Sequence, residues 1–133
     1  MTGALPFIAV GAGAALGAWM RWGLGGLLNP LFPTLPLGTL AANLIGGFLI
    51  GVCMSVLTHF EAISPEIRLL LTTGFLGGLT TFSTFSGETT VLLTRGQYGW
   101  MTALVLAHVV GSVALTVLGV VVTDLVLEVK AGP

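Results

Sequence analysis

Long apolar segments dominate the hydrophobicity pattern of this chain. Four of them reach the roughly 20 residues that a helix needs to cross the hydrocarbon core of a bilayer. They cover residues 5–28, 37–58, 66–95 and 98–127, and only short connections separate them. The pattern therefore predicts an all-α integral membrane protein, with one transmembrane domain of four helices over residues 1–133.

The third segment departs from this pattern at the stretch "GFLGGLTTFSTFSGE", residues 74–88. Gly77 and Gly78 are adjacent in mid-span, and a glycine in a helix interior costs about 1 kcal/mol relative to alanine. We expect the third helix to be broken here, which would leave backbone carbonyls in need of protein, water or an ion. A glycine pair that admits a neighbouring helix without any break is the alternative.

Helical spacing after the glycine pair sorts the polar and aromatic side chains. Thr84, Phe85 and Glu88 share one face with Thr81, and Phe82 lies one turn before Phe85. Glu88 is the one carboxylate that we assign to the polar face of a span. An acid inside a membrane is a candidate functional residue, although Glu88 is close enough to the predicted surface for simple solvation to explain it.

Three other spans carry isolated polar residues. Asn43 and Thr39 lie one turn apart in the second span, and His108 and Ser112 lie four residues apart in the fourth. An unpartnered amide in hydrocarbon costs several kcal/mol, so Asn43 either bonds a neighbouring helix or faces a polar path. We interpret His108 as a packing or vestibule residue. Arg21, near the end of the first span, either lines a vestibule or extends its charge toward the membrane surface.

Composition and charge exclude several classes of protein. The chain is 55% hydrophobic and 7% charged, whereas about 25% of residues are charged in a typical soluble domain. The formal net charge of −1 and the lack of a basic cluster disfavour nucleic acid as a partner. No spacing of cysteine, histidine or serine residues indicates a zinc site or a catalytic triad, so we expect no enzyme activity.

The few basic residues give almost no orientation signal. With four spans, Arg68 and Lys130 belong to one side of the membrane and Arg21 and Arg95 to the other. Lysine and arginine asymmetry normally sets orientation. The even count predicts either insertion in both orientations, which would allow an antiparallel dimer, or one topology with a weak bias.

The polar groups that these spans share are mostly neutral donors. Amide N–H groups, hydroxyls and the positive edges of aromatic rings suit a small anion better than a cation. A small, strongly hydrated anion needs a narrow path that replaces its water. The residues alone predict an ion pathway, with an anion favoured, and do not select the ion.

Two motifs identify a family. The stretches "GTLAANLIGGFLIG", residues 38–51, and "TGFLGGLTTFSTFSGE", residues 73–88, strongly resemble the Fluc, or CrcB-type, fluoride channels. The stretches "GAALGAWMRW" and "GSVALTVLG" fit the first and fourth spans of that family. The resemblance covers nearly the whole chain.

The resemblance implies a fluoride-selective channel that exports fluoride passively across the cell membrane. It implies an antiparallel, dual-topology homodimer in the lipid bilayer, with a structural Na⁺ at the dimer interface held by the carbonyls of Gly77 and Thr80. It implies a vestibule at Arg21 and a fluoride pore lined by Asn43, Phe82, Phe85, Thr39, Ser83, Thr84, Glu88 and Ser112.

Two other functions compete with this expectation. A small dual-topology multidrug or cation antiporter is also short and four-spanning, but it needs an acid deep in its first span, and residues 5–28 contain none. A membrane scaffold subunit that transports nothing would not require Asn43 or the hydroxyl-rich face.

Overall fold

The structure, a computed structural model, describes residues 3–131. Residues 1, 2, 132 and 133 of the predicted domain lie outside that range. Every regular element within it is helical. The prediction of an all-α architecture is therefore confirmed for the part of the chain that is described.

Three continuous helices among these residues are long and apolar enough to cross a bilayer. They are α1 (Ala4–Leu28), α2 (Leu37–His59) and α6 (Tyr98–Ala131). The first two match the predicted spans to within a residue. Helix α6 continues past the predicted end at residue 127, and its 34 residues correspond to about 50 Å, more than the hydrocarbon thickness.

The third predicted span is interrupted, as expected. It begins with α3 (Pro65–Leu69), continues through a π-helix (Leu70–Leu76) and ends its first part with a single turn, α4 (Gly77–Leu79). A separate helix, α5 (Phe82–Thr94), follows. We call residues 65–79 the first half-helix and α5 the second half-helix.

The break lies at Thr80 and Thr81, three residues after the position that the glycine pair predicted. Both residues are extended, with φ and ψ of −83° and 154° at Thr80 and −150° and 115° at Thr81. Gly77 itself is helical. The predicted position was wrong because the chain stays helical through the glycine pair, where Gly78 packs closely against α1, and turns just beyond it.

Glycines bring the helix backbones into direct contact. A Cβ on Gly78 would overlap the carbonyl oxygen of Ala14, and one on Gly17 would lie 2.7 Å from the amide nitrogen of Leu79. Helices α2 and α6 meet in the same way at Gly47, where an added Cβ would lie 2.8 Å from the carbonyl oxygen of Ser112. Small residues permit this approach in lipid, where apolar burial alone does not drive helix association.

Candidate ion pathway at the broken third span

Asn43 holds the break from the side of α2. Its Oδ1 accepts a hydrogen bond from the Thr81 amide at 2.7 Å, and its Nδ2 donates to the Thr81 carbonyl at 3.0 Å. The Asn43 side chain thus pairs with both backbone groups of one extended residue. This accounts for an amide in the middle of an apolar span, because the Thr81 N–H would otherwise lack a helical partner.

The same amide determines the protonation of His108. Asn43 Nδ2 lies 3.0 Å from His108 Nδ1, and since Nδ2 is a donor, the ring nitrogen must accept. The proton of the neutral imidazole is therefore on Nε2. This nitrogen is buried, and no hydrogen-bond partner for it occurs among residues 3–131.

Four backbone carbonyls around the break lose the amide that an unbroken helix would offer them. They are the carbonyls of residues 77–80, and among them the Gly78 carbonyl accepts from Arg21 Nε at 3.0 Å. The carbonyls of Gly77, Leu79 and Thr80 receive no side-chain hydrogen bond from residues 3–131. The α-helical donors of Gly77 and Thr80 would be the Thr81 and Thr84 amides, which donate instead to Asn43 Oδ1 and to Thr81 Oγ1.

Thr81 also begins the second half-helix. Its Oγ1 accepts the Thr84 amide at 3.1 Å and lies 3.0 Å from the Thr84 hydroxyl and 3.2 Å from the Ser83 hydroxyl. Threonine is a favoured N-cap because its oxygen accepts one of the free amides of the first turn. Ser83 and Thr84 are exposed, so the N-terminus of α5 presents hydroxyls together with its positive dipole end.

The two phenylalanines of the motif lie edge to face. The ring centroids of Phe82 and Phe85 are 5.6 Å apart with an angle of 62° between the ring planes. Phe85 is buried against His108, with centroids 4.6 Å apart, whereas Phe82 is 78% exposed. One ring of the pair is therefore held inside the subunit and the other projects from it.

These groups line an open groove of about 520 Å³. Its wall is mostly apolar, and its polar members come from α2, the first half-helix, the break and α6. They include Asn43, Gly77, Thr80, Thr81, His108 and Ser112, with both phenylalanines beside them. The structure thus brings together predicted residues from three separate spans.

Thr39 and Glu88 form a pair on the other side of the break. The Thr39 hydroxyl donates to Glu88 Oε1 at 2.6 Å, so the carboxylate is bonded within the protein and not merely solvated. The second oxygen, Oε2, is buried, with no partner in the described part of the chain. Glu88 also lines a cavity of about 590 Å³ with Thr84 and Arg95.

Arg21 lines a smaller cavity of about 270 Å³. Thr39, Thr81, Thr84 and Asn29 are among its other lining residues. The hydrogen bond to Gly78 directs the side chain toward the break, so the alternative of simple extension to the membrane surface does not describe it. The cavity places a guanidinium beside the hydroxyls that cap the second half-helix.

Comparison with known proteins identifies the family. The family model described as "CrcB-like protein, Camphor Resistance (CrcB)" matches residues 8–120, which include the whole broken span. The chain belongs to the CrcB family. The resemblance predicted from the motifs is thereby confirmed.

Relatives of this CrcB chain carry a functional name. A protein of Nitrosospira multiformis named "Fluoride-specific ion channel FluC" is 59% identical over 118 residues, which are 89% of this chain and 92% of the relative. A protein of Aromatoleum aromaticum with the same name is 58% identical over 113 residues, 85% of this chain and 86% of the relative. Because such relatives are ion channels by name, the expectation that the chain is not an enzyme is confirmed.

One polar cluster of the CrcB chain was not predicted from the sequence. The Ser55 hydroxyl donates to Asp124 Oδ1, and His59 Nδ1 lies 2.9 Å from the Ser55 carbonyl oxygen and 4.0 Å from Asp124 Oδ1. Asp124 falls inside the predicted fourth span, so Glu88 is not the only carboxylate on a polar face. The sequence signal for this cluster was a single acid within the mostly apolar stretch 121–127. Thr81 was also overlooked as a site residue, and its signal was its place as the last hydroxyl before Phe82.

Proposed function

We propose that this chain is a fluoride-specific ion channel that lets fluoride leave the cell passively and so lowers its cytoplasmic concentration. The observation that carries the proposal is the 59% identity over 118 residues to a protein named as such a channel. The geometry of the broken span supports it, because the groups gathered there are neutral donors and ring edges. Because the proposed channel lets fluoride leave the cell, we place it in the cell membrane.

Fluoride passes, on this proposal, along the groove and the second half-helix. Phe82 and Phe85 present ring edges, where the aromatic quadrupole is positive. Ser83 and Thr84 are exposed hydroxyls at a helix N-terminus, and Ser112 lines the groove opposite. A small anion gains most from such a set, because closely placed neutral donors replace its hydration without trapping it as a fixed cation would.

Asn43 has two tasks in this pathway. It fixes the break through Thr81, and its second N–H points to His108 Nδ1. We assign this second N–H to fluoride. When an ion arrives, it would replace His108 Nδ1 as the acceptor of that hydrogen bond. Thr39 and Glu88 form a further polar station next to the vestibule of Arg21.

The functional unit is an antiparallel, dual-topology homodimer. Two observations support it. The count of basic residues is equal on the two sides, with Arg21 and Arg95 against Arg68 and Lys130. In addition, Phe82 is 78% exposed beside an open groove, and a second inverted copy would cover both and complete the path.

The carbonyls of Gly77 and Thr80 fit the Na⁺ of the dimer interface. Both carbonyls lose their helical donor without gaining a side-chain donor from residues 3–131, and both residues line the open groove. Peptide oxygens are ligands that hard cations prefer. Two from each subunit would make four. Such an ion would neutralise the negative ends of the two first half-helices and hold the subunits together.

Liposomes carrying the purified protein and loaded with fluoride, followed by an external fluoride electrode, test the proposal. We expect rapid fluoride release from these liposomes and none from protein-free ones, with chloride release near the background. Equal release of chloride and fluoride would overturn it.

The same liposomes separate the alternative function. A drug or cation antiporter would carry its substrate against an imposed proton gradient, whereas a channel follows the fluoride gradient alone. Substrate movement that depends on protons, without fluoride release, would favour the antiporter.

A further inference from the structure

Arg21 lies on the face of α1 that packs against the first half-helix. It follows Gly13 and Gly17 at intervals of four residues, so the three share one stripe. A Cβ on Gly13 would lie 2.7 Å from the Phe75 amide nitrogen, and one on Gly17 the same distance from that of Leu79. The stripe therefore runs along the backbone of the first half-helix, and Arg21 reaches its end.

At that end Arg21 meets a carbonyl that the break has deprived of its partner. In an unbroken helix the Gly78 carbonyl would accept the Phe82 amide, but the two extended residues between them move Phe82 into a new helix. The Nε–H of Arg21 donates to the Gly78 carbonyl at 3.0 Å instead. An unpaired carbonyl at this depth would be costly, and a cation at a helix C-terminus is favourable.

Arg21 and Asn43 bond two different carbonyls near the break. Arg21 covers Gly78 from α1, and Asn43 covers Thr81 from α2. Gly77 and Thr80, which lose their donors and receive no side chain, both line the open groove. The side of the glycine pair that faces α1 is thus closed, whereas an added Cβ on Gly77 would approach no atom closer than 4.0 Å.

We propose that Arg21 is a positioning residue for the break: its Nε–H fixes the Gly78 carbonyl against α1, so that the neighbouring carbonyls of Gly77 and Thr80 are turned to the groove. The inference rests on the proposed function only in taking the break as part of the ion pathway. It differs from a vestibule charge, because the contact requires a directed N–H on the arginine stem. Lysine supplies the charge without that N–H.

Hydrogen–deuterium exchange of the detergent-solubilised protein tests the role of the Arg21–Gly78 hydrogen bond, and fluoride release from liposomes is measured in parallel. The variants are Arg21→Lys, which keeps the charge, and Arg21→Gln, which removes it. Lys130→Gln, at an exposed position near the end of α6, is the control for the loss of one positive charge.

We expect both Arg21 variants to accelerate exchange of the amides in residues 80–84 by about tenfold, since the loss of one partly buried hydrogen bond from a charged group has about that effect on local opening. Exchange in α2 and α6 should stay as in the unmodified protein, and Lys130→Gln should match it throughout. If Arg21→Gln yields no folded protein, Arg21→Lys decides the question.

Exchange in Arg21→Lys that equals the unmodified protein would overturn the inference, because charge alone would then suffice. An acceleration spread evenly over α1, α2 and α6 would overturn it as well, since the loss of the Arg21–Gly78 hydrogen bond should act only near the break. Failure of the proposed function is a separate result: the unmodified protein would release no fluoride, whatever the exchange at residues 80–84 shows.

Discussion

The two half-helices of the third span are built on opposite principles. The first is pressed against α1, with backbone meeting backbone at Gly74 and Gly78. The second touches its own subunit mainly through Phe85 and Leu92, which pack near α6. Phe82, Ser83 and Gly87 on the second half-helix are exposed.

This difference shows how one segment can be both anchored and available. The first half-helix is immobilised by contacts that tolerate no side chain, and its end is held by Arg21 and Asn43. The second half-helix starts from that fixed point, capped by Thr81, and offers its hydroxyls and one ring outward. The rigid half supplies position, and the exposed half supplies the groups that meet an ion or a second subunit.

The largest effect should follow from filling the contact between α1 and the first half-helix. In Gly17→Val the new Cβ would overlap the Phe75 carbonyl oxygen, and we expect destabilisation of about 3 kcal/mol or more with little monodisperse protein. Gly23→Val, on the same helix with no atom within 4 Å of an added Cβ, is the control. Thermal unfolding and size-exclusion profiles measure both, and equal behaviour would contradict the close contact.

The exposed ring of the second half-helix should matter for flux and not for folding. Phe82→Ile removes a side chain that is 78% exposed on the single subunit, so the helical content by circular dichroism should hardly change, while fluoride release should fall by about 100-fold with the loss of the ring edges. Phe7→Ile, at a site that is 83% exposed on α1, should leave release unchanged. Release from Phe82→Ile at the unmodified rate would remove the ring-edge argument.

Asn43→Asp tests the residue that serves both halves. Aspartate keeps an oxygen for the Thr81 amide but loses the donors to the Thr81 carbonyl and to His108. We expect a loss of about 1–3 kcal/mol in stability together with reduced fluoride release, because a negative charge would face the anion. Asn29→Asp is the stability control, since only the Asn29 oxygen is used, as acceptor of the Gly38 amide at 2.7 Å. Equal melting temperatures for the two variants would contradict a structural role for the pair of hydrogen bonds between Asn43 and Thr81.

The smallest effect concerns the start of the second half-helix. Thr81→Ala removes the oxygen that accepts the Thr84 amide, and loss of such a cap costs about 1 kcal/mol. Thr90→Ala removes an exposed hydroxyl that bonds only the Ser86 carbonyl of its own helix, and we expect a change within about 0.5 kcal/mol. A thermal-unfolding comparison in which Thr90→Ala is the more damaging change would contradict the cap.

Sequence reasoning succeeded where the signal is local. The ends of α1 and α2 agree with the apolar segments, and the interruption of the third span was expected from its glycines and hydroxyls. The break itself was placed three residues too early, because Gly78 and Gly74 serve contact with α1. Asp124 was overlooked, because the partner that explains it, Ser55, lies 69 residues away in the chain.

The sequence by itself determined the solvent, the number of spans and the region of the third span that cannot be regular, because hydropathy and helix propensity depend on neighbouring residues. Only the tertiary structure decided which carbonyls near the break accept a hydrogen bond from a distant side chain. The covering donors, Arg21 and Asn43, are 57 and 38 residues distant from the carbonyls they reach. A contact of that range exists only after the helices have packed, so no local pattern in the sequence records it.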